Sequence, residues 1–446
     1  MNSLQNIEKK YPVGYIKYKN ENIWGFLRLK YYWNMLEPIT SVKKEKKKES
    51  FFKKIIKNSF YGFRHWFNNY DYIFFSDTQE RTLIAGQYID KSFEFIIDSL
   101  DQDKCLYVDL PNPKHFKQSS IPTKHIVSRR LIDLFISIAI KITKRKRIDL
   151  TLLDRINEEN NININYKKII HSFEISVLVY SLLLRIYKPK AIFISCYYCN
   201  QAVIKAANNL NILTIESQHG IIDKSHDAYY PNVAVDKSFF PDILLTFGVY
   251  DKNLISQNPF NPFDTIIPIG RYNLELLSKS SIARDLLLLT RKYIKIVSIS
   301  TQYTIEDELA RFVKKLALMD PNIGFIFSLR HYEKEYYCKY QMPSNVYLFK
   351  DEYNCYDILR CSDIHMTCYS SCALEALFFN KPVCLVDING LASKYVKIKS
   401  KNIYKILTPK DFFRINFKYE QEKIELYIRD HKIKVKKLLK EVLHVK

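Results

Sequence analysis

Short apolar runs alternate with amphipathic stretches along most of this chain. Tyr72 to Phe75 and Leu106 to Leu110 have the length and apolar content of short buried strands, and a helical pattern around Phe93 to Leu100 separates them. Strands that are apolar throughout are typical of a parallel sheet covered on both faces. The pattern therefore predicts that an α/β fold begins near residue 70.

The alternation is clearest after Glu174. A predicted helix, Glu174 to Tyr187, ends at Lys188-Pro189-Lys190. The segments that follow are a strand, a helix and three further strands: Ala191 to Ser195, Gln201 to Leu210, Ile212 to Glu216, Pro241 to Phe247 and Ile266 to Ile269. The first three make a βαβ unit of about 30 residues, which is the repeating element of a parallel sheet.

The same order returns in the second half, after a Pro-rich connection at Asn258 to Pro268. The predicted strands are Ile294 to Ser300, Ile323 to Leu329, Val346 to Phe349, Ile364 to Thr367 and Val383 to Val386, and the predicted helices are Glu306 to Leu318, Tyr356 to Cys361 and Ala373 to Phe379. The segment Tyr419 to His444 has helical spacing. We therefore expect an α/β protein of two Rossmann-like domains, 1–275 and 276–446, that face each other across a cleft, with C-terminal helices.

Composition and charge narrow the class of protein. Of the 446 residues 47% are hydrophobic, which excludes a chain that is mostly disordered. Lys and Arg exceed Asp and Glu by 69 to 47, and the formal net charge of +22 favours a polyanionic partner such as nucleic acid, an anionic membrane or a phosphorylated substrate. The excess of Lys over Arg fits the drift of an AT-rich coding sequence equally well.

Two basic runs, Lys43 to Lys48 and Lys144 to Arg147, suit electrostatic contact with an anionic membrane, although solvated charge runs are an equal alternative. The apolar stretch Leu131 to Ile142 is interrupted by Asp133 and is shorter than the roughly 20 residues of a membrane span, so we expect a buried or interfacial helix. No secretory leader is apparent in Met1 to Lys10. We expect a cytoplasmic protein that acts at the inner face of the cell membrane.

The nine cysteines do not suggest a disulfide framework, since their number is odd and most lie in apolar segments. Cys196 and Cys199 have CxxC spacing, but no second Cys or His pair follows at zinc-finger distance. We interpret them as buried thiols and expect neither a metal nor any other cofactor.

Hydroxyl groups follow one predicted strand of the second domain. Ser370 and Ser371 open a helix directly after Ile364 to Thr367, where free N–H groups and the helix dipole favour a phosphate. Glu375, one turn later, is placed to accept hydrogen bonds from ribose hydroxyls. A serine N-cap followed by a first-turn acid is the structural alternative.

Arg330 and His331 end another strand of the same domain, so they are expected at the same edge of the sheet. Arg provides a planar fork for phosphate oxygens and His a further donor. Thr301 and Gln302, after the first strand of the domain, are weaker candidates. A surface Arg and a structural His remain the alternative.

In the first domain the candidate is His219, which follows a strand end between Gln218 and Gly220. Gly permits an unusual backbone angle or a close approach of ligand, and a neutral imidazole suits a general base. A His without catalytic function in a loop is the alternative.

The order of these motifs resembles a known group of enzymes. The motifs are Glu216-Ser217-Gln218-His219-Gly220, Pro241-Asp242-Ile243-Leu244-Leu245, Ile269-Gly270-Arg271, Arg330-His331, Asp363, Ser370-Ser371, Glu375 and Lys381-Pro382. Over about Ala191 to Asp387 their layout resembles the capsule and cell-surface polysaccharide glycosyltransferases of the two-Rossmann type known as GT-B. It is also similar to the CDP-glycerol glycerophosphotransferases and to the bacterial sialyl- and Kdo-transferases.

The resemblance implies a role for each matching position. His219 matches the His-Gly of the catalytic loop and would be the base, with Gln218, Gly220, Gly270 and Arg271 as supporting loop residues. His331 falls where such families have a His-Pro pair that contacts the nucleotide phosphate, although Tyr332 stands in place of Pro here. Ser370 and Ser371 match their Ser-Ser phosphate motif.

The expected function is therefore transfer of a sugar from a nucleotide-activated donor, most simply a cytidine nucleotide, to a glycan or lipid-linked glycan. A CDP-polyol phosphotransferase and a sugar-nucleotide epimerase on the same fold are the alternatives. A nucleic-acid-binding protein is a third, which the charge favours, but no zinc, helix-turn-helix or RNP motif accompanies it. We expect no nucleic-acid partner.

Overall fold

Two parallel β-sheets organise the chain in the computed structural model, which describes residues 4–40, 58–84, 86–112, 114–144, 147–330, 332–422 and 426–444. Each sheet belongs to a separate unit. The first unit comprises Met1–Tyr272 and Asp430–Lys446, and the second comprises Asn273–Arg429. The C-terminal helix, which the sequence placed with the second domain, thus belongs to the first.

The first unit contains a seven-stranded sheet. Its strands in chain order are β1 Tyr72–Asp77, β2 Cys105–Leu110, β3 Ile126–Ser128, β4 Ala191–Ser195, β5 Leu213–Ser217, β6 Ile243–Thr246 and β7 Thr265–Pro268. In space they follow the order β3-β2-β1-β4-β5-β6-β7, all parallel. This is the Rossmann order with one more strand, and the order reverses between β1 and β4.

Both faces of this sheet are buried, which explains why its strands are apolar throughout. Ile73 and Phe75 point into one core cluster and Tyr72 and Phe74 into the other, as the two-residue period of a strand requires. The helices of this unit are α1 Leu4–Lys10, α2 Trp24–Thr40, α3 Glu94–Asp98, α4 Arg129–Ile142, α5 Thr151–Asn160, α6 Tyr166–Tyr187, α7 Gln201–Asn208 and α8 Val249–Ser256. Two antiparallel strand pairs, Lys17–Tyr18 with Glu21–Asn22 and Arg81–Ile84 with Gln87–Asp90, lie outside the sheet.

The N-terminal helices are part of the first core. A buried ion pair joins Arg28 to Glu8 at 2.8 Å, and Trp24 donates to the same carboxylate oxygen at 3.0 Å. Arg28 also donates to the backbone carbonyl of Asp227, in the loop that follows β5. Helices α1 and α2 therefore help to hold that loop in place.

The second unit contains a six-stranded parallel sheet. Its strands are β8 Lys295–Ser300, β9 Ile323–Ser328, β10 Val346–Phe349, β11 Ile364–Thr367, β12 Val383–Val386 and β13 Ile403–Ile406. They follow the order β10-β9-β8-β11-β12-β13, which is the Rossmann order, reversing between β8 and β11. Its helices, counting α9 at the boundary, are α9 Tyr272–Lys279, α10 Arg284–Thr290, α11 Glu306–Met319, α12 Cys355–Cys361, α13 Cys372–Phe378, α14 Leu391–Tyr395 and α15 Pro409–Arg414.

The α/β class and the two Rossmann-like sheets expected from the sequence are confirmed. The C-terminal prediction is corrected: helix α16 spans only His431–Val442, and its Val435, Leu438 and Leu439 pack beside Phe95 and Ile97 of the first unit. Asp430 precedes this helix in the left-handed region, with φ 66°, so the regular helix does not extend back to Tyr419.

Among the residues that the structure describes, one helix, α6, is long and apolar enough to cross a membrane. The helix packs against α7, and its Ile170, Tyr180 and Leu184 are buried in the core of the first unit. Its neighbour α4 forms as predicted over the apolar stretch Leu131 to Ile142, but only Leu131 and Ile132 of α4 are buried.

Candidate functional site

The carboxyl edge of the first sheet carries a group of aromatic and titratable side chains beside the point where its strand order reverses. Ligands of open α/β sheets bind at this position. β4 is followed by Cys196, Tyr197 and Tyr198, and β5 is followed by Gln218 and His219. Because β4 and β5 are adjacent parallel strands, their loops meet at the same edge.

His219 lies between two tyrosine hydroxyl groups. The hydroxyl oxygen of Tyr198 is 3.1 Å from Nε2, and that of Tyr229 is 3.3 Å from Nδ1. Burial, with added repulsion from Lys91 and Arg271, lowers the pKa of His219 to about 4. The imidazole is therefore neutral at physiological pH and has one nitrogen able to accept a proton.

Glu216, the last acid of β5, sets the direction of these hydrogen bonds. Its Oε1 accepts from the hydroxyl of Tyr229 at 2.6 Å and from the backbone N–H of Tyr197 at 2.9 Å. Burial raises the pKa of Glu216 to about 8. Oε2 has no hydrogen-bond partner among the described residues, so this carboxyl group is buried with half of its capacity unused.

The residues beside His219 have structural roles. Gln218 is buried, and its side chain accepts from the N–H of Phe247 and donates to the carbonyl of Gly220, which ties the loops after β5 and β6 together. The guanidinium carbon of Arg271 lies 5.0 Å from the ring centre of Phe247. Gly270 has a φ of 85°, which is the left-handed conformation that favours glycine.

The expectation of an unusual backbone angle at Gly220 is corrected, whereas the close approach of a ligand stays a prediction. This residue is absent from the glycines of positive φ, and a Cβ atom there would meet nothing within 4 Å. Neither an unusual backbone angle nor a tight contact within the chain therefore requires glycine at this position.

Sequence reasoning missed the aromatic frame of His219 and its second imidazole. The ring of His226 packs 4.9 Å from that of Tyr229 and 6.2 Å from that of Tyr198. Burial lowers the pKa of His226 to about 4. Tyr198 follows β4 closely, so the rule that ligands bind at carboxyl strand ends could have identified it. No local signal indicates the contact between Tyr229 and His219, which are ten residues apart.

The interpretation of Cys196 and Cys199 as buried thiols is also corrected. Cys199 is exposed and Cys196 is partly so, and their sulfur atoms are 3.3 Å apart. The thiol of Cys196 hydrogen-bonds Cys199 and lowers the pKa of Cys199 to about 7. The two cysteines flank Tyr198, whose hydroxyl hydrogen-bonds His219, so the thiols lie close to the candidate base.

Tyr198 and Cys199 also line an open groove of about 870 Å³ in the first unit. Short polar side chains line the groove, among them Asn34, Ser137, Ser172 and Ser176, together with the half-exposed ring of Trp33. Amide and hydroxyl groups beside an aromatic face match the mixed polar and apolar surface of a sugar.

A Ser–His–Asp arrangement elsewhere in this unit has the geometry of a catalytic triad. Nδ1 of His115 is 2.7 Å from Asp109, and Nε2 is 2.9 Å from Oγ of Ser128. The Ser128 side chain is fully buried and caps α4 by accepting from the N–H of Arg130, while the Tyr61 ring stacks on His115. No substrate reaches this serine, so the arrangement is structural.

In the second unit the predicted residues flank the point where the strand order reverses. Thr301 and Gln302 follow β8, and Ser370 and Ser371 come shortly after its neighbour β11. Oε1 of Gln302 accepts from the N–H of Tyr369 at 3.3 Å, which joins the two loops. The structure thus brings these four candidates to one edge.

The hydroxyl groups at this edge are partly available. Ser371 is exposed and its side chain does not cap α13, whereas Oγ of Ser370 accepts from the N–H of Cys372 at 3.3 Å. Glu375 is buried on the same short helix and interacts with the thiol of Cys372, so its carboxylate faces the protein interior.

Arg330 follows β9 and is exposed. His331 lies outside the described residues. Among the described residues of this unit, the rings of Tyr303, Tyr332 and Tyr336 form a stack, with centre distances of 5.6 and 3.9 Å. Lys350, after β10, donates to the backbone carbonyl of Arg330 at 3.0 Å. Lys350 and the three tyrosines were not predicted, although each lies close to a carboxyl strand end.

Glu306 is a second buried acid, at the start of α11 near Thr301. Its carboxyl group interacts with Thr301 and makes no other hydrogen bond among the described residues. Burial raises the pKa of Glu306 to about 7. Within the same residues, no three His, Cys, Asp or Glu side chains gather as ligands for a metal ion.

No protein-family model and no curated protein matches this sequence. Solved structures do resemble it. The UDP-GlcNAc 2-epimerase of Methanocaldococcus jannaschii is 10% identical, with a TM-score of 0.51 over 82% of this chain and 98% of that one. The UDP-GlcNAc 2-epimerase of Neisseria meningitidis, bound to UDP-GlcNAc, is 14% identical (TM-score 0.46; 77% of this chain and 89% of that one). The wall teichoic acid polymerase TagF is 11% identical (TM-score 0.41; 92% of each chain).

At these identities the likeness describes the fold alone, and the first of the three structures carries it. Together with the two sheets of Rossmann order, it gives this chain the two-domain α/β fold of the GT-B type.

Proposed function

We propose that this GT-B protein transfers a sugar from a nucleotide-activated donor to a growing capsular or other cell-surface glycan. The observation that carries the proposal is the position of His219, a neutral imidazole at the carboxyl edge of the first sheet, between the hydroxyls of Tyr198 and Tyr229. The preference for a cytidine nucleotide rests on the motif order, which resembles that of the CDP-glycerol, sialyl- and Kdo-transferases.

In this proposal His219 is the general base. Tyr229 uses its one hydroxyl hydrogen to donate a hydrogen bond to Glu216. Its oxygen therefore accepts from Nδ1–H of His219, and the free lone pair of the imidazole is on Nε2. An acceptor hydroxyl that replaces the hydroxyl of Tyr198 at Nε2 would give its proton there. The acceptor oxygen forms the new bond to the anomeric carbon of the sugar, and the bond from that carbon to the nucleotide phosphate breaks.

The second unit would receive the leaving nucleotide. Negative charge builds on its phosphate as the bond breaks, and stabilising such charge is usually the largest catalytic contribution. Exposed Arg330, with Lys350 beside it, and exposed Ser371, with Ser370 before it, offer cations and hydroxyls at the carboxyl edge of the second sheet. The stacked rings of Tyr303 and Tyr332 offer a flat surface for the base.

The groove beside Tyr198 would hold the acceptor. Its asparagine and serine side chains and Trp33 match a glycan, and it is lined by Tyr198, the residue whose hydroxyl hydrogen-bonds His219. A mobile acceptor chain lying there would present one hydroxyl to Nε2.

Incubation of the purified protein with a panel of nucleotide sugars, with and without glycan acceptors, tests the proposal. We expect nucleotide release that depends on acceptor, fastest with a cytidine donor. Isomerisation of the donor without acceptor would establish the epimerase alternative, and transfer of a polyol phosphate from a CDP donor the phosphotransferase. Release independent of acceptor would contradict transfer to a glycan.

Binding to duplex DNA tests the remaining alternative, a nucleic-acid-binding protein. An enzyme with dispersed basic residues binds DNA weakly and only through phosphate contacts, so the affinity falls steeply with salt. Tight, sequence-dependent binding at physiological salt would contradict the enzyme proposal.

A further inference from the structure

Two neighbouring helices of the first unit present apolar side chains to solvent. On α4, Phe135, Ile138 and Ile142 recur at the spacing of one helix face. On α6, Leu178, Leu182 and Ile186 do the same. These six side chains, named here the apolar stripes, are between 46% and 77% exposed.

The stripes are not the faces that form the core. On α6 the core residues Ile170, Tyr180 and Leu184 lie on roughly the opposite side of the helix from its stripe. On α4 the apolar face is buried at Leu131 and then continues uncovered to Ile142. Only 22% of the most apolar window of α6 is buried, and an exposed apolar surface of this size marks an interaction site.

The charges around the stripes point to an anionic partner. α4 and α6 run antiparallel, because Thr143 contacts His171 and Arg129 approaches Tyr180. This arrangement gathers four exposed cations at one end of the pair: Lys141, Lys144, Lys167 and Lys168. Exposed Arg185 and Lys188 lie at the other end of α6.

Neither helix carries an exposed acid. The acid of α4, Asp133, pairs with Arg130 at 3.3 Å, and the acid of α6, Glu174, pairs with Lys19. Two copies of a chain of net charge +22 would bring like charges together at this face. An anionic bilayer attracts the cations and accepts the apolar side chains among its acyl chains.

We propose that α4 and α6 dock the protein on an anionic lipid surface, with the apolar stripes inserted and the flanking lysines and arginines at the level of the headgroups. The helices lie on the membrane and do not cross it, because buried Ile170, Tyr180 and Leu184 keep α6 in the core. This inference does not depend on the proposed function.

Sedimentation with vesicles tests it on the full chain. We expect wild-type protein to bind vesicles of phosphatidylglycerol and phosphatidylcholine and to bind pure phosphatidylcholine far less. F135D/I138D and L182D/I186D should each lower the partition coefficient by about tenfold or more. I294D is the matched control, since Ile294 is 78% exposed in the second unit, and its binding should equal that of wild type. Failure of wild type to bind anionic vesicles, or undiminished binding by both stripe variants, would overturn the proposal.

Two measurements without lipid exclude other occupants. If the stripes are free, both stripe variants melt within a few degrees of wild type; a large fall in Tm would show that the stripes pack against the chain itself. Light scattering should show monomers for wild type and variants. A wild-type dimer that the stripe variants lose would assign this face to a second copy and overturn lipid docking.

Discussion

The hydroxyl of Tyr229 donates a 2.6 Å hydrogen bond to the buried carboxyl group of Glu216. This bond uses the one proton that Tyr229 has, so its oxygen can only accept from the nearby Nδ1 of His219. The carboxyl group of the penultimate residue of β5 thus fixes the tautomer of an imidazole two residues beyond the end of that strand.

Replacing His219 should remove most of the transfer activity. We expect His219→Ala to fold normally and to lower kcat by about 100-fold or more, the usual contribution of a general base. His226→Ala is the control, because its ring packs on the same tyrosine without a hydrogen bond to His219. Matched Tm values with undiminished turnover in His219→Ala would contradict the assignment.

Wild-type kcat/KM should show no inflection near pH 6.5. The pKa of His219 is lowered to about 4, so the imidazole stays neutral across that range. Tyr229→Phe frees the tautomer of His219, and we expect kcat to fall by about tenfold with little change in the KM of the donor. Tyr250→Phe, on α8, serves as control. A clear break at pH 6.5 in the wild-type profile would show that the base is a solvated histidine instead.

Burial of Glu216 should appear in the pH dependence of stability. Its pKa rises from 4.5 to about 8 on folding, so between these values the folded chain holds a proton that the unfolded chain has released. The stability of the wild type therefore falls as pH rises through this interval. The glutamine of Glu216→Gln is uncharged at every pH. The Tm of this variant, measured relative to that of wild type, should therefore rise from about pH 5 to about pH 8. Glu441→Gln, on the surface, should track wild type, and parallel curves for all three proteins would contradict the shift.

Much of the fold was predictable because most strands are buried on both faces. An apolar run such as Ala191 to Ser195 is recognisable as a buried strand from the sequence alone. In the second unit the Rossmann order then brings Thr301 and Ser370 to one edge of the sheet. The first 40 residues were not predictable, since their role depends on contacts such as that of Arg28 with the backbone of Asp227, almost 200 positions away.

Only those residues of the candidate site that directly follow a strand could be predicted from the sequence. His219 qualifies, but its partners come from the loop after β4 and from a turn ten residues downstream. The thiols of Cys196 and Cys199 were misjudged for a related reason. Their segment looks apolar, yet the chain leaves the sheet at Cys196, whose φ is 60°, and so the loop turns toward solvent.

Nucleotide binding should depend on the edge of the second sheet. We expect Ser371→Ala and Arg330→Ala each to weaken CMP or CDP binding by about 1.5–3 kcal/mol, the scale of a hydrogen bond to a charged group. Arg291→Ala is the matched control, because Arg291 is exposed at the opposite edge, before β8. Calorimetric titration with CMP, CDP, UDP and GDP measures both effects. Wild-type affinity in both variants would remove the phosphate site from this edge, and tighter UDP binding would overturn the cytidine preference.

Cys199 should be the most reactive thiol of the described chain. The hydrogen bond from Cys196 lowers the pKa of Cys199 to about 7, so much of it is thiolate at neutral pH. Iodoacetamide at pH 7 should alkylate Cys199 before exposed Cys338, and Cys196→Ala should slow that reaction. Peptide mass spectrometry over time reads out each site. Equal alkylation rates at Cys199 and Cys338 would contradict the lowered pKa of Cys199.

The return of helix α16 to the first unit also sets an order of events during synthesis. Phe95 and Ile97 are synthesised about 340 residues before Val435 and Leu438, which pack beside them in the folded protein. The part of this core that α16 covers therefore stays exposed while the second unit is made, although domains that emerge early otherwise fold as they appear. A chain that ends at Arg429 has all the strands of both sheets, but its first core lacks the cover that helix His431–Val442 gives to Phe95 and Ile97.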